Sequence, residues 1–471
     1  MMVIELQQTI NNNNFKERGM YMIELPQVIN DINKKKKATK ITTLTEAKAF
    51  ILKRFFPGSF IVNRITGGGF AYRRIQLLFG AKSSGKNALL NQTIAYAQRL
   101  CRKCHNVLPS YALDKNIDRW SFFLLKVLEM DICKCSNPIA KKVLVLDYER
   151  SLSIEEPVKV KVLKITDIET DEVIDELDYN DALLEMNELT AKDKLVEEEK
   201  NRIKNIEQFL KNLKIEEATV IHEATTDYLR KCGIIINDLL VGDPEDTEEG
   251  IEYARDVIKS KEVDIVIWDS LQAALPRYVK DREADQATMG VEARQNGLLM
   301  RHVCSAFAAT DLLDESEAYK AALFITSQVR AKMGYMSGYD TYSGGNAIQH
   351  HIAIALELKR EHFLKENGEE AEFKQSFYGQ RIRIRADKNK LSSPGGVYHL
   401  NYYFKQGNKF PVGIDHINEL VELALISGYI EKKGAWYYIN NEKFHGMVNL
   451  LNHYYSNFNE MKDLYNAAKE L

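Results

Sequence analysis

The chain predicts an α/β fold built on a largely parallel central sheet. Short runs rich in leucine and β-branched residues recur along it: "IQLLF" (75–79), "VLVLD" (143–147), "VDIVIWD" (263–269) and "AALFITS" (321–327). Each is apolar without alternation, as strands covered on both faces are, and helical stretches separate them. A glycine-bearing turn, "GAKSSGKN" (80–87), joins the first run directly to the helical "NALLNQTIAYAQRL". Acids stand at the ends of the runs: Asp147 and Glu149 after the second, Asp269 closing the third. Ligands of open α/β sheets gather at the carboxyl ends of the strands, so turn and acids should meet in one crevice.

Taken in order, residues 1–40 are polar, rich in Asn and Lys, and read as a loosely ordered arm within an N-terminal arm and oligomerisation segment, 1–56. The core is expected over 57–410, with two insertions. The first, 100–140, carries four of the six cysteines. The second, 151–224, opens on the alternating "VKVKVLKIT" and continues through an acidic stretch with apolar residues at helical spacing. It reads as a hairpin with one or two amphipathic helices, either a solvated decoration or a partner-docking surface. The later runs "IAIALEL" (352–358) and "QRIRIRA" (380–386) alternate more and would extend the sheet antiparallel. A small C-terminal α/β region, 411–471, contains "GAWYYINNEKFHG".

The 471 residues are 28% charged and 45% hydrophobic, with a net charge of −3. That balance gives no whole-chain attraction for nucleic acid, so any DNA surface must be local. The start lacks a continuous apolar signal region and no later run is long enough to span a bilayer, which makes a cytoplasmic protein without membrane partners the expectation.

The turn fits the phosphate-cradling pattern G-x-x-x-x-G-K. Its glycines let backbone N–H groups turn toward phosphate, and the helix N-terminus adds its positive end. The cradle would be Gly80, Ala81, Lys82, Ser83, Ser84, Gly85, Lys86, Asn87 and Ala88. Lys86 would reach the β- and γ-phosphates of a nucleotide, and Asp269 would hold Mg²⁺. Asn87 departs from the pattern, which calls for a Ser or Thr hydroxyl on the magnesium. An amide oxygen can face the ion, but on a longer stem. Binding should survive; hydrolysis is either slow or lost.

Cys101 and Cys104 form C-x-x-C, and Cys133 and Cys135 form C-x-C. Four thiolates in two close pairs suit a tetrahedral structural Zn²⁺, with His105 an alternative ligand and plain reduced thiols the other reading. Cys232 and Cys304 read as core.

The segments "GAKSSGKN", "VDIVIWDSLQAALP", "TMGVEARQNGLLMRH", "FITSQVRAKMGYMSGYDTYSGGNAI", "RADKNK" and "KKGAWYYINNEKFHG" occur in the order and approximate spacing of the RecA family of DNA recombinases, which the chain resembles outside its arm and insertions. The resemblance implies a RecA-like ATPase core using ATP and Mg²⁺, with Glu149 activating the attacking water. It implies that Tyr228 packs beside adenine and that Gln328 senses the γ-phosphate. Lys388 and Lys390 would reach the ATP of an adjacent subunit in a homo-oligomeric helical filament. Single-stranded DNA would lie against two loops, 276–290 and 330–343. Met289 and Met333 would act as wedges there, with Arg294, Arg301, Arg330, Lys332, Gly344, Gly345 and Asn346 as backbone clamps. Pairing with double-stranded DNA and strand exchange are the implied activity, assisted by a loader or single-strand-binding protein. A mediator paralogue that binds ATP with little turnover, and a hexameric helicase on the same core, are the competing readings. The bulky insertions and Asn/Lys/Ile-rich composition suit a phage protein, which would act in the bacterial host cytoplasm.

Overall fold

The computed structural model describes residues 25–112, 118–152, 158–167, 173–174, 197–211, 213–222, 225–280, 291–330, 341–342, 345–371, 377–393, 396–407, 412–440, 442–457 and 460–469. The chain divides into two compact units, one of residues 1–52 with 308–319 and one of 53–307 with 320–471. In the smaller unit a helix, Leu25–Lys36, is followed by a short segment tied to the 308–319 stretch. Leu312 N donates to Thr39 O at 2.9 Å, Ala49 N to Leu312 O at 3.0 Å, and Lys40 Nζ to Ala309 O at 2.7 Å.

The larger unit is organised by a nine-stranded sheet. In chain order its strands are β1 (Ile75–Phe79), β2 (Val143–Asp147), β3 (Leu239–Gly242), β4 (Ile265–Asp269), β5 (Ala322–Ser327), β6 (Ile354–Leu364), β7 (Gly379–Asn389), β8 (Val397–Tyr403) and β9 (Gly413–Ile414). They lie side by side in the order β9-β8-β7-β6-β1-β5-β4-β2-β3. From β6 to β3 every pairing is parallel; β7, β8 and β9 add antiparallel strands at the other edge. Every residue of β1, β2, β4 and β5 is buried, which is what their unbroken apolar runs require. β7 instead alternates. Ile382 and Ile384 are buried while Arg381, Arg383 and Arg385 are only partly covered, and Arg385 pairs with Glu357 of β6 at 2.9 Å.

Helices α1 (Lys86–Ala97), α2 (Thr247–Ser260), α3 (Val291–Ala306) and α4 (Gly345–His351) return the chain between strands. α2 starts where Asp246 accepts from Glu249 N at 2.9 Å and lays Ile251, Ala254 and Ile258 into a core with Trp268, Leu323 and Ile325. α3 adds Leu299, Met300 and Val303 to the same core. α1 buries almost all of its second half, and Thr93 Oγ1 anchors it on Pro57 O at 2.7 Å.

Near the C-terminus the helix His416–Ser427 packs against Phe60–Thr66 and Met461–Lys469, beside a three-stranded sheet of 431–433, 436–439 and 442–445. A buried polar network joins these parts. Glu419 caps the helix at Phe60, accepting its N–H at 3.1 Å and the Ser59 hydroxyl. His416 Nδ1 lies 2.9 Å from Glu419, and its Nε2 lies 2.6 Å from Tyr96 Oη of α1. Burial pushes Glu419 up to about 8 and holds His416 well below its ordinary value, so both favour their neutral forms.

In the second insertion Val158–Asp167 pairs antiparallel both with the nearby Val173–Ile174, a local hairpin, and along its whole length with Leu213–His222, a long-range ladder. A helix, Glu197–Lys211, lies between these strands in sequence. Among the described residues no helix is long and apolar enough to cross a membrane.

Candidate nucleotide site

The turn after β1 has the shape its glycines were expected to give. A Cβ on Gly80 would stand 2.1 Å from Leu358 O, so no larger residue fits there. Gly85 has φ +99° at the N-cap of α1, and a Cβ on it would meet Ile382 Cδ1 at 2.3 Å. Gly80 N donates to Ser327 O at 3.2 Å, tying the turn to the end of β5. The start of α1 faces the same space, and Ser84 Oγ, buried, has no hydrogen-bond partner among the described residues.

Sheet register brings the acids to this end. Asp147 and Asp269 are direct neighbours across β2 and β4, and Ser327 pairs with Phe79 across β5 and β1. A cleft of about 470 Å³ opens there, lined by the cradle residues 82–88 together with Glu149, Tyr228, Asp269 and Gln328. These sequence-predicted groups are thus assembled in one cavity, with Gly80 and Ala81 just behind the lining. Lys86 Nζ donates to Gly80 O at 3.0 Å and Ala81 O at 2.9 Å. Burial lowers its pKa, against the pull of Asp269 and Glu149.

Asp269 is the best-covered carboxyl of the cleft. Thr326 Oγ1 donates to its Oδ1 at 2.5 Å, and Asn87 Nδ2 donates to its Oδ2 at 3.1 Å. Burial raises its pKa, with Glu149 and Asp147 adding repulsion, so a cation there would relieve an unfavourable concentration of negative charge. The residues therefore fit a magnesium ion, with Asp269 as its carboxylate. The orphaned Ser84 hydroxyl, the glycine-only turn and the helix end fit phosphate. Ser270 Oγ donates to Glu149 Oε1 at 2.5 Å and holds that carboxylate at the mouth. Asp147 instead caps its own turn, accepting from Leu152 N at 2.7 Å and Ser151 Oγ at 3.2 Å.

Several residues were missed by sequence reasoning. Gln272 Oε1 accepts from Gln328 N at 3.1 Å while its Nε2 donates to Ser327 Oγ at 2.8 Å, bracing Gln328. Arg360, Phe363, Gln380, Tyr402 and Phe404 also line the cleft. Tyr402 Oη lies 2.7 Å from Tyr228 Oη, and Phe363 stacks on Phe377 with ring centroids 4.1 Å apart. Aromatic residues on the antiparallel strands were the available signal, but only pairing across the sheet aims them at the turn after β1.

Lys388 and Lys390 lie elsewhere. Asn389 pairs with Ile354 and Lys390 N donates to Ala353 O, so this end of β7 sits beside the amino end of β6. Lys388 Nζ donates to Gln349 O and Lys390 Nζ to His350 O at 2.5 Å, capping the last turn of α4. Arg294 and Arg301 are exposed on α3, two turns apart and therefore on one face. Arg330 belongs to a short strand, Val329–Arg330, paired with Thr341–Tyr342, and Gly345 and Asn346 open α4. Met289, Lys332, Met333 and Gly344 lie outside the described residues. The thiols of Cys101, Cys104, Cys133 and Cys135 come together, whereas His105 stays apart, its ring packed on Tyr72 with centroids 5.9 Å apart. Burial, with Lys141 and Lys53 nearby, takes His105 down to about 3.

Parallel strands, a glycine turn running into a helix, and a strand-end carboxylate beside it define a phosphate-loop core of the RecA-like kind. The family profile of the RecA N-terminal domain matches residues 213–409. The RecA protein of Leptospira biflexa is 28% identical over 223 residues, 47% of this chain and 52% of that protein. For Enterococcus gallinarum RecA the identity is 31% over 217 residues, 46% of this chain and 56% of that one. Staphylococcus aureus RecA is 30% identical over 223 residues, 47% and 58% of the two chains. Over this stretch the chain is similar to the RecA family, and it spans about half the length of the curated relatives it matches. The turn at 80–87 lies ahead of the profile's matched stretch, so its assignment rests on geometry.

Proposed function

We propose that the protein is an ATP-dependent homologous recombinase that binds ATP with Mg²⁺ in the cleft, assembles as a filament on single-stranded DNA and pairs that strand with a duplex. One observation carries this reading. Gln328 stands in the nucleotide cleft, and the next two residues begin a strand paired with Thr341–Tyr342. A group facing the terminal phosphate is therefore one residue from the base of the 330–343 segment expected to meet DNA. Gln272 holds that junction, so a shift of Gln328 is transmitted along the backbone.

The residues divide the work. The loop amides, the start of α1 and Lys86 hold the phosphates, and Asp269 holds magnesium, which when bound supplies positive charge against the departing phosphate. Glu149, steadied by Ser270 Oγ at 2.5 Å, orients a water and accepts its proton. Exposed Arg294 and Arg301 give phosphate contacts that read no base edges, so DNA binding is tolerant of sequence and falls steeply with salt.

A second reading, a filament-forming or mediator relative with little turnover, is favoured by the hydrogen bond from Asn87 to Asp269, which occupies one oxygen of the magnesium carboxylate at 3.1 Å. Steady-state ATP hydrolysis, with and without single-stranded DNA, separates the two. The recombinase reading expects stimulation by DNA and loss of at least about 100-fold in Glu149→Gln with nucleotide affinity retained. Equal, negligible turnover in both proteins supports the mediator reading.

A further inference from the structure

We propose that Cys101, Cys104, Cys133 and Cys135 form a structural zinc site that staples the two ends of the first insertion. Their four Sγ atoms lie within 4.8 Å of one another, and none is in a disulfide. Donors from two turns roughly thirty residues apart do not collect in this way by composition. They are brought together by backbone pairing on both sides of the cluster.

In the first turn Cys101 N donates to Asn106 O at 2.8 Å and His105 N returns to Cys101 O at 2.7 Å, with His105 at φ +65° closing the bend. In the second, Cys135 N points at Cys133 Sγ at 3.4 Å, the N–H···S arrangement that stabilises a thiolate bearing a metal. The turns are cross-linked by Cys133 N to Val107 O at 2.7 Å, Arg102 N to Ile139 O at 2.9 Å and Lys141 N to Leu100 O at 3.0 Å.

The chemistry of the donor set selects the ion. Four sulfurs and no oxygen ligand, in a compact group, suit tetrahedral Zn²⁺, whose bonds to sulfur are about 2.3 Å. Cys101 and Cys133 are buried while Cys104 and Cys135 are partly exposed, so an ion can enter and then be closed off. A zinc tetrathiolate carries two net negative charges. Lys141, fully covered, adjoins the cluster through the N–H it donates to Leu100 O. His105 is packed on Tyr72 instead, which leaves the set all-sulfur. With four protein ligands no coordination position stays open, so the site is structural rather than catalytic.

Its position gives it a task. Cys101 follows the end of α1, and the Cys133–Cys135 turn leads into β2, which carries Asp147 and is followed by Glu149. The staple therefore fixes the far end of the phosphate-loop helix against the strand that presents the water-orienting glutamate. This inference stands on the cysteines and does not depend on the nucleotide reading.

The test uses the full chain purified without chelator. Elemental analysis should find about one zinc per chain, falling to none in Cys101→Ser/Cys104→Ser. Metal-free protein refilled with Co²⁺ should develop the intense visible absorption of tetrahedral cobalt thiolate. If the double variant does not fold, stripping zinc from the wild-type chain with a chromogenic chelator is read instead. Release of about one equivalent should lower the melting temperature and expose four additional thiols to a thiol reagent. A folded wild-type chain with no metal and all its thiols already reactive would overturn the proposal. So would disulfides within the cluster, or iron with inorganic sulfide in place of zinc.

Discussion

The two ends of the central sheet are built on opposite principles. At the carboxyl end, polar groups converge without neutralising one another. Lys86, Asp269, Glu149 and Gln328 share one cleft, and Asp269 is left with its pKa raised. At the amino end, by contrast, the cations are already engaged, with Lys388 and Lys390 donating to the last carbonyls of α4. The difference separates a cleft where like and unlike charges converge from a surface whose lysines are held by backbone carbonyls. β1 alone puts about 13 Å of strand between the two ends, so these lysines cannot serve the phosphate loop of their own chain. If they act on ATP, they act on the ATP of a neighbour.

The largest effect tests that arrangement. Lys388→Ala/Lys390→Ala should retain nucleotide affinity as isolated subunits while DNA-dependent hydrolysis falls about 100-fold, as removal of charge-stabilising donors does. Mixing this variant with Lys86→Ala chains should restore part of the activity, because each supplies the half-site the other lacks. Hydrolysis rates of the variants and their mixture check it. Full activity without both lysines would remove the contrast between the ends.

A smaller effect is expected within the cleft itself. Asn87→Thr frees Oδ2 of Asp269 and provides a hydroxyl of the usual length, so DNA-stimulated turnover should rise about tenfold, or 1.4 kcal/mol of barrier, at similar nucleotide affinity. Unchanged or lower turnover would make the Asn87–Asp269 bond a working part of the site.

The smallest effect lies in the buried network around the far end of α1, where only stability should respond. Glu419, raised from 4.5 to about 8, binds its proton more tightly in the folded chain. Stability from this group is therefore full at low pH and lost as pH rises toward 8. His416, depressed from 6.5, acts in the opposite sense below that value. Above about pH 6.5 the contribution of Glu419 itself falls as pH rises, and Glu419→Gln should remove that contribution, at most about 1.4 kcal/mol per pH unit relative to the natural chain. Urea melts across this range measure it, and hydrolysis should be unaffected.

Much of the carboxyl end was legible in the sequence. Short, β-branched runs such as "VLVLD" read as strands covered on both faces, and a G-x-x-x-x-G-K turn between strand and helix has a limited set of geometries. Alternation in "QRIRIRA" agrees with the antiparallel place of β7, but the same expectation for "IAIALEL" fails, because β6 runs parallel to β1 and belongs to the central sheet. What the sequence could not reveal depended on pairing. Arg360, Phe363, Gln380 and Tyr402 reach the cleft through sheet register, which no local pattern encodes. Gln272 reads as an ordinary polar residue until Gln328 is beside it. The longer partner of "VKVKVLKIT" was equally hidden: besides the local Val173–Ile174 it pairs with Leu213–His222, which lies beyond the whole acidic stretch.

That ladder has a consequence for the ancestry and handling of the chain. Val158 pairs with His222, so the two feet of the ladder stand about 5 Å apart. Such a segment can be acquired or discarded in a single genetic event, with no strand of the main sheet rethreaded. Its remote end is accordingly a natural place to graft a fluorophore or affinity handle, and a short turn joining the two feet of the ladder should give a minimal chain that still folds.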